Sequence, residues 1–212
     1  MSTAPIAVDR VPRAVVAEHQ RQRILDAAIP IFAKRGYRQT TVESHIVPAA
    51  KISIGHFYQH FADKEDCFLA AYEEIVAEGH EQILAAVPID TWPEQLIAVL
   101  LALIDFIAQN HLKARLVLVE MPAVGPRALR RYQQTLELFA PALARGRELT
   151  PPGTSLPASL ETSTIGGLLW VLQQRLLAEE LEPSRRLLAE MVEMVAGPYL
   201  GEAETKKLIA RH

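Results

Sequence analysis

Ser53-Ile54-Gly55-His56-Phe57-Tyr58-Gln59-His60-Phe61-Ala62-Asp63-Lys64-Glu65 is the stretch whose reading decides the fold. Ser53 can cap a short helix, and Phe57 and Phe61, four residues apart, share its inner side. The polar groups of His56, Tyr58, Gln59 and His60 are left to point elsewhere. A helix this short that presents hydrogen-bonding groups makes poor core and suits a groove. Asp63-Lys64-Glu65 then reads as the cap and first turn of the next helix. Upstream, Thr40 to Ala50 reads as another short helix, so the pair is a candidate helix-turn-helix whose second helix enters a DNA groove.

Working outward, nearly every segment has helical period. A first helix is expected from His19 to Arg35, striped by Ile24, Ala28, Ile31 and Phe32 and stopped at Gly36. Thr40-Thr41-Val42-Glu43 has the pattern of a capping box, with the Thr40 hydroxyl and Glu43 carboxylate exchanging bonds. Further helices are expected over Lys64–Ala86, Glu94–Gln109, His111–Glu120, Arg127–Arg147, Ala158–Glu180 and Ser184–Ala196, the last ending at Gly197-Pro198. Pro88 to Pro93 and residues 149–157 read as loops. The expected fold class is all-α with about nine helices. Residues 1–18 form a flexible N-terminal arm, 19–65 a three-helix unit, and 66–212 a larger helical domain, with the boundary inside the fourth helix.

Composition narrows the classes. Net charge over 212 residues is −3, but residues 1–64 hold 9 Lys/Arg against 5 Asp/Glu, and the remainder is acidic. A basic head on an acidic body suits a protein that sets only its N-terminal end on phosphates. The apolar run over residues 95–108 is interrupted by Asp105 and falls short of a membrane span. Asp9 and Arg10 precede any long apolar run, so no secretory signal is expected. The single cysteine, Cys67, excludes an internal disulfide framework and is read as an inert buried thiol. A soluble cytoplasmic protein is expected, with no membrane partner. No Glu-x-x-His pair, Gly-rich phosphate loop or Gly-x-Ser-x-Gly elbow is present, so neither an enzyme nor a cofactor is expected.

Residues 21–72 resemble the DNA-binding domain of TetR-like (tetracycline-repressor-type) transcriptional regulators. The resemblance is carried by Arg23-Ile24-Leu25-Asp26-Ala27-Ala28, Phe32, Gly36-Tyr37, Thr40-Thr41-Val42, Ile46-Val47, Ala50, Ser53, Gly55, Phe57-Tyr58, His60-Phe61 and Lys64-Glu65. It implies a homodimer on a double-stranded, pseudo-palindromic operator, and a C-terminal domain whose small-molecule effector lowers DNA affinity. Residue by residue, it implies a phosphate contact for Thr41 and base-edge contact at Ser53, Ile54 and Gly55. Tyr58 and His60 match backbone contacts, and Lys64 matches a lysine on a phosphate. His56 and Gln59 complete the expected DNA-binding set. Hydroxyls, a phenol and an ammonium are all phosphate partners that fix register more than sequence.

The chain departs from the family pattern in three places. The step from Val42 to Ser53 is one residue longer than usual, Lys51 stands in the turn where glycine is common, and Pro48 lies in the second helix. An added residue beside a proline predicts a bulge in that helix and a left-handed backbone at Lys51. His56 and His60 have a metal-compatible i, i+4 spacing, but no third ligand is near in sequence, so no metal site is expected. In the C-terminal domain, Asp105, Glu120, Trp170 and Gln174 are the candidate polar lining of an apolar effector pocket among the fourth to eighth helices. Helices 8 and 9 are the expected dimer interface. Ile165, Leu168, Leu169, Leu172 and Leu176 stripe one, and Leu187, Leu188, Met191, Val192 and Val195 the other. Gly166-Gly167 permits close approach, giving an isologous four-helix bundle.

Overall fold

The computed structural model of the chain describes residues 13–87 and 90–212. Among them the regular structure is entirely helical. The elements are α1 (Arg13–Arg35), a π turn (Val42–Ile46), α2 (Val47–Ala50), α3 (Ile54–His60), α4 (Lys64–Ala86) and α5 (Trp92–Gln109). They continue with α6 (His111–Arg115), a second π turn (Leu116–Glu120), a 3-10 turn (Met121–Ala123), α7 (Pro126–Ala144), a 3-10 turn (Arg145–Leu149), α8 (Leu160–Leu177) and α9 (Arg185–Arg211).

α1, α2 and α3 enclose Ile24, Leu25, Phe32, Ile46 and Phe57, all fully buried, and α4 closes this unit with Phe68. The same core runs on without a break through α5, α8 and α9 to Tyr199 and Leu208. Phe32, Tyr37 and Phe68 meet edge-on or stacked at 5.1–5.9 Å, the geometry aromatic quadrupoles favour. Cys67 is buried, and burial pushes its thiol up to about 12, which keeps it unreactive at neutral pH.

Several boundaries differ from the sequence reading. α1 begins at Arg13, so helix occupies part of the expected arm, while residues 1–12 and the Pro88-Ile89 part of a loop lie outside the described residues. α9 does not stop at Gly197-Pro198; it continues until Gly201, whose φ of 76° breaks the helix and turns the chain back. Pro198 costs one backbone bond, but only the left-handed glycine changes direction. The apolar run over residues 95–108 is short for a membrane span, yet the helix that contains it, α5, is at 18 residues long and apolar enough by length and composition. Trp92, Leu96, Ile97, Leu100, Ile104, Phe106 and Ile107 are nevertheless buried within the protein, and Asp105 lies on the exposed side.

Most of the two apolar stripes on α8 and α9 is covered within the subunit. Leu168, Leu172, Leu176, Leu187, Leu188, Met191, Val192 and Val195 are all at most 8% exposed, while Ile165 and Leu169 of the α8 stripe are half-buried. α8 and α9 pack on each other and on the rest of the core, so the fully buried part of each stripe is not available to a partner.

Candidate DNA interface

The start of the helix-turn-helix is built differently from a capping box. Thr40 is fully buried, and its hydroxyl donates to the Gly36 carbonyl at 2.8 Å. Glu43 is exposed and no side chain of the expected box caps the helix. Instead the Thr41 N–H donates to His45 Nδ1 at 3.0 Å, and the Thr41 hydroxyl lies 3.0 Å from the same nitrogen. The added residue is the physical cause. It widens the first turn, so that both His45 and Ile46 point their N–H groups at the Thr41 carbonyl and Val47 bonds back to Val42. Pro48, which brings no N–H, follows at the start of α2, where none is needed. The bulge expected from the sequence is therefore this π turn.

Lys51 closes α2 with φ 53° and ψ 50°, the left-handed conformation expected for it. Arg23 of α1 donates to the Ala50 carbonyl at 2.9 Å and satisfies the end of that short helix. A side chain in the left-handed region costs roughly 1–2 kcal/mol, while glycine costs roughly 0.5–1 kcal/mol more to order. Lys51→Gly should therefore raise stability by about 0.5–1 kcal/mol, read as a shifted urea midpoint with unchanged slope. An unchanged or lowered midpoint would show that the Lys51 side chain stabilises the turn.

Ser53 caps α3, its Oγ accepting the His56 N–H at 3.2 Å and lying 3.1 Å from His56 Nδ1. Phe57 and Phe61 turn inward, their rings 5.5 Å apart. That inward anchoring leaves Ser53, Ile54, Gly55, His56, Tyr58 and Gln59 exposed, Tyr58 at 53%, and Thr41, upstream at the head of the π turn, is exposed as well. These seven of the nine expected residues are available to solvent. The other two are engaged. His60 is half-buried with Nε2 3.4 Å from Gln20 Oε1.

Lys64 donates to the carbonyls of Tyr37 and Thr40, both at 2.8 Å, and its ammonium stands 4.1 Å from the centre of the Tyr37 ring. Burial lowers its pKa. Two of three N–H donors thus hold the loop that delivers Thr41. At the head of α4, Asp63 accepts the Asp66 N–H at 2.6 Å and Asp66 accepts the Ala62 N–H at 3.0 Å. Arg127, the second residue of α7, lies 3.3–3.9 Å from Asp63, Glu65 and Asp66.

A second set of contacts joins this unit to the helical body. Glu120 accepts the Tyr37 N–H at 2.9 Å, and Gly36 (φ 84°) leaves room for it, since a Cβ there would lie 3.2 Å from the carboxylate. Arg115 donates to the Ala33 carbonyl at 2.8 Å, at the end of α1. Sequence reading assigned Glu120 to an effector pocket and passed over Arg115, Arg127 and His45. The first three make contacts across more than sixty positions, for which no local pattern exists. The pocket candidates do not converge: Asp105, Trp170 (61% exposed) and Gln174 face solvent, and Glu120 is committed to Tyr37. Among the described residues no group of three or more His, Cys, Asp or Glu side chains is placed to hold a metal.

Comparison with known proteins follows the same division. The sequence model of the bacterial regulatory proteins, tetR family, matches residues 24–71. The HTH-type transcriptional regulator HbdR of Aromatoleum sp. (strain CIB) is 31% identical over 83 residues, which are 39% of this chain and only 36% of that protein. The chain therefore matches about a third of this curated relative's length. Among solved structures, the fatty acid degradation regulator FadR from Bacillus halodurans superposes with a TM-score of 0.68 at 22% identity, over 85% of this chain and 94% of that one. A tetR-family regulatory protein from Rhodococcus RHA1 gives 0.63 at 22% identity, over 85% and 96%. FadR from Bacillus subtilis, solved with stearoyl-CoA, gives 0.66 at 21% identity, over 85% and 98%. Residues 24–71 thus match the sequence model of the tetR family of bacterial regulatory proteins, and they continue into a helical body that shares the fold of these solved structures.

Proposed function

We propose that this protein is a sequence-specific DNA-binding transcriptional regulator of the cytoplasm, a repressor released from its operator by a hydrophobic or amphipathic effector. One observation carries the reading: Phe57 of α3 and Phe61 just past its end turn inward and leave a continuous hydroxyl, imidazole, phenol and amide surface outward on a seven-residue helix. Residues 19–65 are the DNA-binding unit and 66–212 the effector and dimerisation unit. Ser53, Ile54, Gly55, His56 and Gln59 meet base edges. Thr41, Tyr58 and His60 meet phosphates, and Lys64 offers its remaining N–H to one. Selection of bound duplexes from a random pool tests this. A two-fold symmetric site with half-sites about one helical turn apart is expected, and recovery without sequence enrichment would sink it. Tyr58→Phe removes one hydroxyl and should weaken operator binding by about 0.5–1.5 kcal/mol; equal affinity would assign Tyr58 no phosphate.

A homodimer supplies the second head. Its interface uses the outward faces of α8 and α9, where Trp170, Gln174 and Leu177 are exposed and the space over Gly166 and Gly197 is open. An exposed tryptophan with a leucine two turns on favours burial against a partner.

The effector site is assigned to the seam between α4 and α7. These helices run side by side, joined by Glu73–Arg131 at 2.8 Å and by the rings of His80 and Phe139 at 5.6 Å. Next to the first of these pairs, one residue before Glu73, the Tyr72 hydroxyl is buried beside Thr135 and Tyr132 without a well-formed hydrogen bond, and burial pushes its pKa up to about 12, the Thr135 hydroxyl working the other way. A buried hydroxyl so poorly bonded lowers stability, which makes it a natural anchor for a ligand carbonyl. The fold relative solved with stearoyl-CoA suggests that compound as first probe. Tyr72→Phe should leave stability equal or higher while weakening release of DNA by stearoyl-CoA. A destabilised variant, or one released as readily as the parent, would remove Tyr72 from the site. Because α4 begins at Lys64 and Arg127 of α7 grips its head, separation of the seam reaches the DNA-binding unit, with a coupling of typically 1–3 kcal/mol.

A further inference from the structure

His45 stands in the π turn that opens the helix-turn-helix and belongs to none of the DNA contacts assigned above. The two nitrogens of its ring play different parts. The Thr41 N–H donates to Nδ1 at 3.0 Å, and a backbone N–H can only donate, so Nδ1 carries a lone pair and no proton. The proton of the neutral ring is therefore on Nε2, since the bond made by one imidazole nitrogen fixes the state of the other. Nε2 has no hydrogen-bond partner among the described residues and is not sealed from solvent, in a ring that is otherwise half-buried.

The same bond frees the other group at this corner. Nδ1 offers one lone pair, and the N–H aimed at it leaves the exposed Thr41 hydroxyl its own proton. Two donors then stand together, the Thr41 hydroxyl and the His45 Nε2–H, at the head of the turn that leads into α2 and α3. Adjacent donors match an oxyanion with several acceptor oxygens, which on DNA is a backbone phosphate. In a capping box a Glu or Gln side chain reaches back from three residues on. Here the widened turn brings the reach from four residues on. A carboxylate in that role would set negative charge against the phosphate, whereas the imidazole sets a donor there.

We propose that His45 is a further DNA-backbone contact, its Nε2–H donating to the phosphate that Thr41 meets while its Nδ1 holds Thr41 in place; this rests on the DNA reading above. The test uses the full chain and a labelled duplex of mixed sequence, because a phosphate contact does not depend on sequence. His45→Asn keeps an acceptor on Cγ where Nδ1 was and removes the Nε2–H. Its thermal midpoint should equal the parent's, while its affinity should fall about two- to tenfold, the loss of one neutral hydrogen bond. Its salt slope should not change, since a neutral donor displaces no counterion. His45→Ala should lose midpoint as well as affinity. In the parent, the nitrogen resonances of isotope-labelled imidazole should show the Nε2–H tautomer and a saturable shift of that nitrogen as duplex is added. Equal affinity of His45→Asn and the parent, or an Nε2 that does not respond to duplex, overturns the proposal and leaves the DNA reading standing. A parent that does not bind the duplex overturns both.

Discussion

Gly146→Ala is expected to destabilise the protein by about 3 kcal/mol or more, a large part of a typical domain's margin. A Cβ at this position would lie 2.6 and 2.7 Å from the Trp92 ring and 2.9 Å from that of Tyr199, far inside contact distance. Neither ring has room to yield. Trp92 donates Nε1 to the Ala142 carbonyl at 3.0 Å, and Tyr199, fully buried, donates to Glu161 Oε1 at 3.1 Å. Accommodating one methyl therefore means breaking a buried hydrogen bond as well as overpacking. Urea unfolding monitored by tryptophan fluorescence measures the loss, and a midpoint within error of the parent would contradict the packing described.

The same cluster gives a pH dependence. Arg147 clamps Glu161 through both carboxylate oxygens at 2.7 and 2.9 Å, and this hydrogen bonding holds the Glu161 carboxyl below its ordinary range despite burial. A depressed folded value means stability that is present above the ordinary carboxylate range and lost as pH falls through the folded one. The parent's thermal midpoint should fall more steeply on acidification than that of Glu161→Gln.

Lys64→Ala is the second large effect, and it should reach DNA binding by two routes. It removes the donors that hold the Tyr37 and Thr40 carbonyls, so the loop that sets Thr41 loosens. It also removes the one N–H left for a phosphate. Hydrogen bonds from a charged donor contribute about 1.5–3 kcal/mol each. Lys64 is half-exposed, so the lower end applies, and affinity should fall at least tenfold. The slope of log affinity against log salt should shrink by roughly one unit. A stability loss with the salt slope intact would make Lys64 a brace for the loop and not a phosphate ligand.

What could be read in the sequence was local. Ser53 and Asp63 as caps, the inward pair Phe57 and Phe61, and the left-handed Lys51 all follow from side-chain chemistry within a turn or two. The bulge near Pro48 was legible as one residue too many for the space. Its consequence was not, because a capping box at Thr40 and a His45 cap on Thr41 compete for one helix start, and only the widened turn decides between them. The stripes on α8 and α9 showed that those helices bury a face, but hydrophobic period cannot say whether the cover comes from the same subunit. Glu120 stood out as an acid in an apolar segment, yet its partner, the Tyr37 N–H, lies 83 residues away. Contacts that join the DNA-binding unit to the body are of this kind throughout.

The most direct test of the DNA reading is the affinity of the full chain for a labelled duplex between about 50 and 200 mM salt. A protein that sets two basic heads on phosphates should lose orders of magnitude in affinity across that range, along a straight line in log–log form. Affinity that is absent, or that stays flat as salt rises, would contradict it.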